Sequence, residues 1–207
     1  MQLVIVGSGS VGKAIYSNAK RNGIRTLIAS RNPDSADHLI DRNDLISLDN
    51  IAEAGDAFLL ALPAQAAIDF AASVENWQGK ILIDATNPLL PGLEGLSLGT
   101  TTSAGEAIAA AAPTARVVKA FNTTGSENLG NPERVADPIF TPICSDDEGA
   151  KQEVIALATS LGFDAVDFGA LKTARYTEAF AMTWIHYAIK KQHGRDWAFS
   201  RSFASPQ

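Results

Sequence analysis

The strongest constraint on this chain is a strand, a glycine turn and a helix in immediate succession at residues 3–23. Leu3 to Val6 is a short continuous apolar run, as expected of a strand buried on both faces. Gly7, Gly9 and Gly12 follow with the spacing G-x-G-x-x-G. From Val11 to Arg21 the pattern turns helical, with Val11, Ala14, Ile15 and Asn18 on one side, and Asn22-Gly23 supplies the stop. The three glycines serve different ends. Gly7 turns the chain off the strand, Gly9 lets a pyrophosphate approach the backbone, and Gly12 lets the helix pack close to the strand. The N–H groups and dipole at the helix start favour an anion. In this context the motif predicts a dinucleotide site.

The end of the second strand decides which dinucleotide. A strand over Thr26 to Ala29 is followed by Ser30-Arg31-Asn32, with no carboxylate where an NAD-binding unit places one for the ribose hydroxyls. Arg31 can fork onto a phosphate and Ser30 can donate its hydroxyl, which points to the 2′-phosphate of NADP(H). Asp34 and Asp37 lie close in sequence and weaken a positive field if they face that phosphate.

Composition narrows the class. The chain has 207 residues, a formal net charge of -6 and a hydrophobic fraction of 46%, which suits one soluble globular domain and argues against nucleic acid or an anionic membrane as partner. The single cysteine, Cys144, allows no internal disulfide and fits a reducing cytoplasm. No apolar run reaches membrane-spanning length, and with a strand starting at Leu3 no cleavable leader is expected.

Strands and helices alternate along the rest of the chain. A turn or short helix is expected near Pro33, a weak strand over 44–48, a short helix over 50–54 capped by Asn50, and strands over 56–62, 80–84, 116–120, 140–143 and 165–168. Helices are expected over 64–74, after a capping box at Ser103 and Glu106, after a second at Ser145 and Glu148, and over 171–192 as the longest. Such alternation predicts an α/β fold with a doubly wound, mostly parallel sheet and a small C-terminal helical extension over 170–207. Ligands of such sheets bind beyond the carboxyl ends of the strands. The segments Gly7–Gly12, Ser30–Arg31, Ala61–Ala64, Ala85–Leu89 and Ala120–Thr124 are therefore expected to gather on one edge.

Ala61, Leu62 and Pro63 suit cofactor phosphates and the nicotinamide ribose, or else simply end a stiff strand. Asn87 either reads a carboxamide or ribose, or folds into an Asx turn on its own backbone. Asn122 and Thr123 are placed to touch a second ring system, while Lys119 is either a strand lysine or a catalytic one. His38, His186 and His193 match no metal spacing, His186 is expected to pack within the last helix, and Cys144 reads as a core thiol. Arg175 and Glu178 are spaced for an i, i+3 surface pair. Phe180, Trp184 and Tyr187 form a broad apolar face suited to core packing, a flat cofactor pocket or a homodimer interface.

Seven segments in order, GSGSVG, SRNP, ALPAQAAID, IDATNPL, ARVVKAFNT, SDDEGAKQEVIALATSLGFDAVDFGAL and ARYTEAFAMTWIHYA, resemble the coenzyme F420-dependent NADP oxidoreductase family. They are similar also to the cytosolic reductase part of the metal-reducing six-transmembrane epithelial proteins. The resemblance covers nearly the whole chain and implies a Rossmann-like fold. It implies that Ser8, Gly9, Ser10 and Val11 hold the NADP pyrophosphate and that Ser30 and Arg31 hold the 2′-phosphate. It further implies that Ala61, Leu62, Pro63 and Asn87 line the nicotinamide half, and that Ala120, Phe121 and Asn122 lie beside a deazaflavin (F420) or flavin. Two rival functions are a dehydrogenase or imine reductase of a small substrate, and an NADPH-binding sensor or electron-delivery module without turnover of its own.

Overall fold

The structure is a computed structural model that describes residues 1–31, 39–49 and 51–204. The turn expected near Pro33, Asp34, Asp37 and the Asn50 cap lie outside the described residues.

The apolar runs form eight strands: β1 (Leu3–Val6), β2 (Thr26–Ala29), β3 (Leu45–Ile46), β4 (Ala57–Leu60), β5 (Ile81–Asp84), β6 (Arg116–Lys119), β7 (Phe140–Ser145) and β8 (Asp164–Asp167). They make one sheet in the order β3-β2-β1-β4-β5-β6-β7-β8. The helices are α1 (Ser10–Arg21), α2 (Ala64–Ser73), α3 (Ala104–Ala111), α4 (Ser126–Gly130), α5 (Glu148–Ser160) and α6 (Ala174–Ile185). β1 shows why the sheet is covered twice. Leu3 and Ile5 enter one core with Ile15 of α1 and Val154 of α5. Val4 and Val6 point the other way, into a core with Ala67 of α2, Ile108 of α3 and Trp77. Side chains alternate across a strand, so an unbroken apolar run requires both faces to be packed. Trp77 is wholly buried and donates its indole N–H to the Ala71 carbonyl at 2.9 Å, so its burial leaves no polar group stranded.

The fold is Rossmann-like, with β1 to β6 all parallel. β7 breaks the pattern by running antiparallel to β6, with only Val118↔Ser145 and Lys119↔Cys144 in register, and β8 is parallel to β7. Between β6 and β7 the chain holds one five-residue helix, α4, and a short 3-10 turn at Pro132–Arg134. That is too little to carry the chain back across the sheet, so β7 starts from the edge where β6 ends.

Two expected helix features differ. The N-cap of α5 is Asp147, whose carboxylate accepts from Ala150 N–H at 2.7 Å, while Ser145 stays in β7 and donates to the Val117 carbonyl. A carboxylate one residue before the helix outcompetes a hydroxyl two residues further back. The last helical stretch is composite, a 3-10 turn over Leu171–Thr173, then α6, then a π-helical turn over His186–Lys190. The longest helix is instead α5, with 13 residues. The expected Ser103–Glu106 box is present, with the Ser103 hydroxyl accepting from Glu106 N–H at 3.1 Å.

Candidate functional site

The glycine turn is built by close approaches that only hydrogen tolerates. Gly7 has φ +113°, and a Cβ there would meet the Ala61 carbonyl at 2.5 Å. A Cβ on Gly12 would fall 2.0 Å from the Gly7 carbonyl. Gly9 is different, because a Cβ there would meet nothing within 4 Å. No protein atom requires a glycine at that position, so the open space is what a ligand lying against the backbone would need. Gly9 is the N-cap of α1, no side chain caps the helix, and no acidic residue sits in its first turn. Ser10, Val11 and Gly12 therefore open a twelve-residue helix whose own first turn sets no anion against its dipole.

The register aligns the other candidates with this turn. Val6 pairs with Ala29 on one side and Leu60 on the other, Leu60 pairs with Asp84, and Asp84 with Lys119. The next residues, Gly7, Ser30, Ala61, Ala85 and Ala120, thus leave the sheet side by side. One cavity of about 570 Å³ joins Gly7, Ser8 and Gly9 to Ser30 and Arg31 and to Ala61, Leu62 and Pro63. Its size suits a small-molecule ligand. Leu48, Ala66, Asp69 and Phe70 complete the wall, and sequence reading passed over all four. Their signal lay in α2, whose residues 66, 69 and 70 share a face at helical spacing. Arg31 is exposed at the mouth, and among the described residues no carboxylate stands at the end of β2.

Asn87 and Ala120–Asn122 lie beyond this cavity, past β4. Asn87 forms no Asx turn. Its Nδ2 donates to the Asn122 carbonyl at 2.8 Å, and its Oδ1 accepts from Asn122 Nδ2 at 3.0 Å. Asn122 Nδ2 also reaches the Thr177 carbonyl of α6 at 3.1 Å. Ala120 and Phe121 are buried, and the Phe121 ring packs edge-on against Phe163 at 5.6 Å inside the α1–α5 core. Phe121 takes φ +61°, which turns its ring inward and leaves backbone facing the strand ends.

Beneath these exit turns lies a charge cluster that sequence reading missed. Lys119 is wholly buried and its ammonium donates to Asp84 Oδ2 at 2.9 Å, to Glu178 Oε1 at 2.8 Å and to the Thr86 carbonyl at 2.6 Å. An ammonium has three protons, so all are committed internally, and a catalytic role for Lys119 falls away. Asp84 Oδ1 accepts from Thr86 N–H at 2.8 Å, so the pair holds both backbone polar groups of one residue. Glu178 accepts in addition from the N–H groups of Ala104 and Gly105 at the start of α3. Burial alone would lower the Lys119 pKa, but the two carboxylates outweigh it and hold it above the ordinary lysine value. Burial pushes Glu178 up, against the pull of Lys119, since two carboxylates share one cation. Arg175 does not pair with Glu178. It grips Glu106 through two bonds of 2.8 and 2.5 Å, and that contact keeps the Glu106 carboxyl below its usual value.

The broad apolar face of α6 is covered by the chain's own tail. Trp184 stacks on Trp197 at 5.9 Å and donates to the Trp197 carbonyl, Phe180 meets Phe199 at 4.3 Å, and Phe140 N–H donates to the Phe199 carbonyl at 2.8 Å. Trp184 also closes on Gly125, where a Cβ would come within 2.5 Å of the indole. His186 does not pack within the helix and is exposed. Cys144 is buried, and burial pushes its thiol up to about 11. Among the described residues no group of three or more His, Cys, Asp or Glu side chains could hold a metal, and no helix is long and apolar enough to cross a membrane.

Comparison with known proteins agrees with this geometry. Residues 2–88 match the family described as NADP oxidoreductase, coenzyme F420-dependent, bearing out the resemblance read from the sequence. Rat metalloreductase STEAP3 is 27% identical over 179 residues, which are 86% of this chain and 36% of that protein. Human metalloreductase STEAP2 is 29% identical over 182 residues, 84% of this chain and 34% of that one. The chain thus spans about a third of the length of these curated relatives. A protein from Arthrobacter sp. FB24 described as a candidate F420-dependent NADP reductase superposes with a TM-score of 0.82 at 26% identity, covering 98% of this chain and all of that one. The hypothetical protein SMa0349 from Sinorhizobium meliloti gives 0.72 at 29%, over 84% of this chain and 88% of that one. A reductive aminase from Aspergillus terreus in complex with NADPH shares the fold, with a TM-score of 0.65 at 16% identity over 92% of this chain and 62% of that one.

Proposed function

We propose, from the premise that residues 2–88 carry the pattern of the F420-dependent NADP oxidoreductases, that this chain passes hydride between NADP(H) and a flat deazaflavin or flavin. The observation that carries the reading is the cavity in which the glycine turn of β1 meets Ser30 and Arg31 at the end of β2, with no carboxylate at that strand end among the described residues. The start of α1 would take the diphosphate, with Ser8, Gly9, Ser10 and Val11 facing it. Ser30 and Arg31 would take the 2′-phosphate, Arg31 by its planar fork. Ala61, Leu62, Pro63 and Asn87 would then receive the nicotinamide half, a direction supported by the order β2-β1-β4-β5 in the sheet. The backbone of Ala120, Phe121 and Asn122 would border the second ring system. NADP(H) supplies the hydride, and what the protein adds is alignment of two flat rings and exclusion of water. That chemistry needs no strong acid, in keeping with Lys119 being fully bonded inside.

The chain is read as a single NADP-binding unit over 1–207, with 170–207 as its helical extension. A cytoplasmic setting is supported by the one buried thiol. A homodimer is supported only by Tyr176 and Tyr187, 67% and 47% exposed on the last helical stretch. Stopped-flow oxidation of NADPH against F420, FMN and FAD tests the function. Fast oxidation by at least one of them is expected, and tight NADPH binding with no oxidation by any of the three would reject it.

A second reading is favoured by the curated relatives, about a third of whose length this chain matches. In it the chain is the NADPH-side module of an electron-delivery system, and turnover needs a partner. Reduction of a small imine or carbonyl is disfavoured, because the lysine such chemistry could use is locked between Asp84 and Glu178.

A further inference from the structure

Two adjacent residues of α6, Thr177 and Glu178, reach two different strand exits. The Thr177 carbonyl holds Asn122 after β6. The Glu178 carboxylate holds Lys119, which with Asp84 grips Thr86 by both its N–H and its carbonyl. Thr86 is the residue directly before Asn87, so this clamp fixes where the Asn87 amide starts from. That amide then closes on Asn122 by a reciprocal pair of hydrogen bonds of 2.8 and 3.0 Å. One Asn87 N–H and one lone pair of its Oδ1 have no partner among the described residues, and the residue is partly exposed. A side-chain amide with one donor and one acceptor left over is the complement of another carboxamide.

Its location matches that complement. Asp84 pairs with Leu60 in the sheet and the chain leaves β5 there, so Asn87 lies beyond the cavity, on the β5 side of Ala61–Pro63 and away from Arg31. A dinucleotide with its diphosphate at Gly9 and its phosphorylated ribose at Arg31 has its other base on this side. A packed apolar interior would hold the sheet together at lower desolvation cost than one lysine and two acids. What the charges add is direction, because every proton of the ammonium has a single acceptor.

We propose that Lys119 and Glu178 are positioning residues that hold the Asn87–Asn122 amide pair in the orientation that reads the carboxamide of the nicotinamide ring. The inference rests on the nucleotide placement proposed above. Lys119 and Glu178 do not touch the ligand, and they act through Thr86 and Asn87.

The test is calorimetric titration with three probes: 2′,5′-ADP, NADPH, and the NADPH analogue with 3-acetylpyridine in place of nicotinamide, which keeps the carbonyl and lacks the amide N–H. The wild type should prefer NADPH over the analogue by about tenfold, the worth of one hydrogen bond to a neutral group. Two variants are used. Asn87→Ala removes the reader. The triple exchange Asp84→Asn, Lys119→Met, Glu178→Gln keeps an acceptor for Thr86 N–H but leaves its carbonyl unheld. Both should bind 2′,5′-ADP within about twofold of wild type and lose the carboxamide preference. If Asn87→Ala keeps the preference, the inference fails whatever the triple exchange does. If the triple exchange folds, binds 2′,5′-ADP and keeps the preference, the positioning role fails and the cluster is only structural. If the wild type takes up no 2′,5′-ADP, the nucleotide placement itself fails, and that outcome is separate from the other two.

Discussion

Replacing Lys119 by Met takes away the one cation that two buried carboxylates share. Each of its ion pairs, at 2.9 and 2.8 Å, represents an attraction of roughly 6 kcal/mol at an effective dielectric of about 20. Desolvation of each ion, at several kcal/mol, cancels most of that, so the intact cluster adds little net stability. The variant keeps the desolvation and loses the attraction. Breaking a buried pair in this way costs about 3–5 kcal/mol, and the Thr86 carbonyl also loses its donor. For a domain of this size that lowers Tm by roughly 6–20 °C, at about 2–4 °C per kcal/mol. The pH dependence follows from Glu178, whose pKa burial holds above its ordinary value, so the native state keeps that proton more tightly than the unfolded chain. That contribution is complete below the ordinary glutamate range and is lost as pH rises through the native value. The penalty of Lys119→Met should therefore be smaller at pH 5, where Glu178 can go neutral, than at pH 8. Urea unfolding at both pH values, followed by tryptophan fluorescence, gives the numbers. A loss under about 1 kcal/mol at pH 8, or an equal loss at both, would refute the reasoning.

Other outcomes follow from the same structure. Arg31→Ala should weaken NADPH at least about thirtyfold and NADH by less than threefold, as expected for loss of a charge-assisted bond; equal losses in titration would reject the 2′-phosphate placement. Gly12→Ala, with its Cβ 2.0 Å from the Gly7 carbonyl, should destabilise the fold in thermal melts. Gly9→Ala, with nothing within 4 Å, should leave Tm nearly unchanged and weaken the nucleotide alone. Cys144, its thiol pushed up to about 11 by burial, should resist alkylation at pH 8 in the native state and react promptly in denaturant.

What could be read from the sequence was what neighbours in the chain decide. The run from Leu3 to Gly23 gave β1, the turn and α1 because its period, its glycines and its stop signal are all local. Arg31 was singled out by the same means, through a residue type missing at a fixed distance from the turn, and it lines the cavity. The buried cluster was out of reach because Glu178 lies 59 residues from Lys119, and nothing local separates a surface glutamate from an interior one. The i, i+3 spacing of Arg175 and Glu178 suggested a surface pair, whereas Arg175 found Glu106 across 69 residues. Phe121 follows the exit of β6, but that its φ is positive and its ring lies in the core against Phe163 depends on partners far along the chain. The reversal of β7 depended on how little helix lies between 120 and 139, a matter of reach rather than pattern.

That reversal also limits what the groove can hold. β7 shares only two register pairs with β6, both at its own last residues, so Phe140 to Ile143 and the paired β8 overhang the ends of the parallel strands. The row of strand tips is thus a shelf with an upright at one end. A molecule laid along it from Arg31 would run toward that upright, which stands past β6. Lengthening or shortening β7 at its first residues would move that end-stop without touching the glycine turn, which makes ligand reach and phosphate grip separately adjustable.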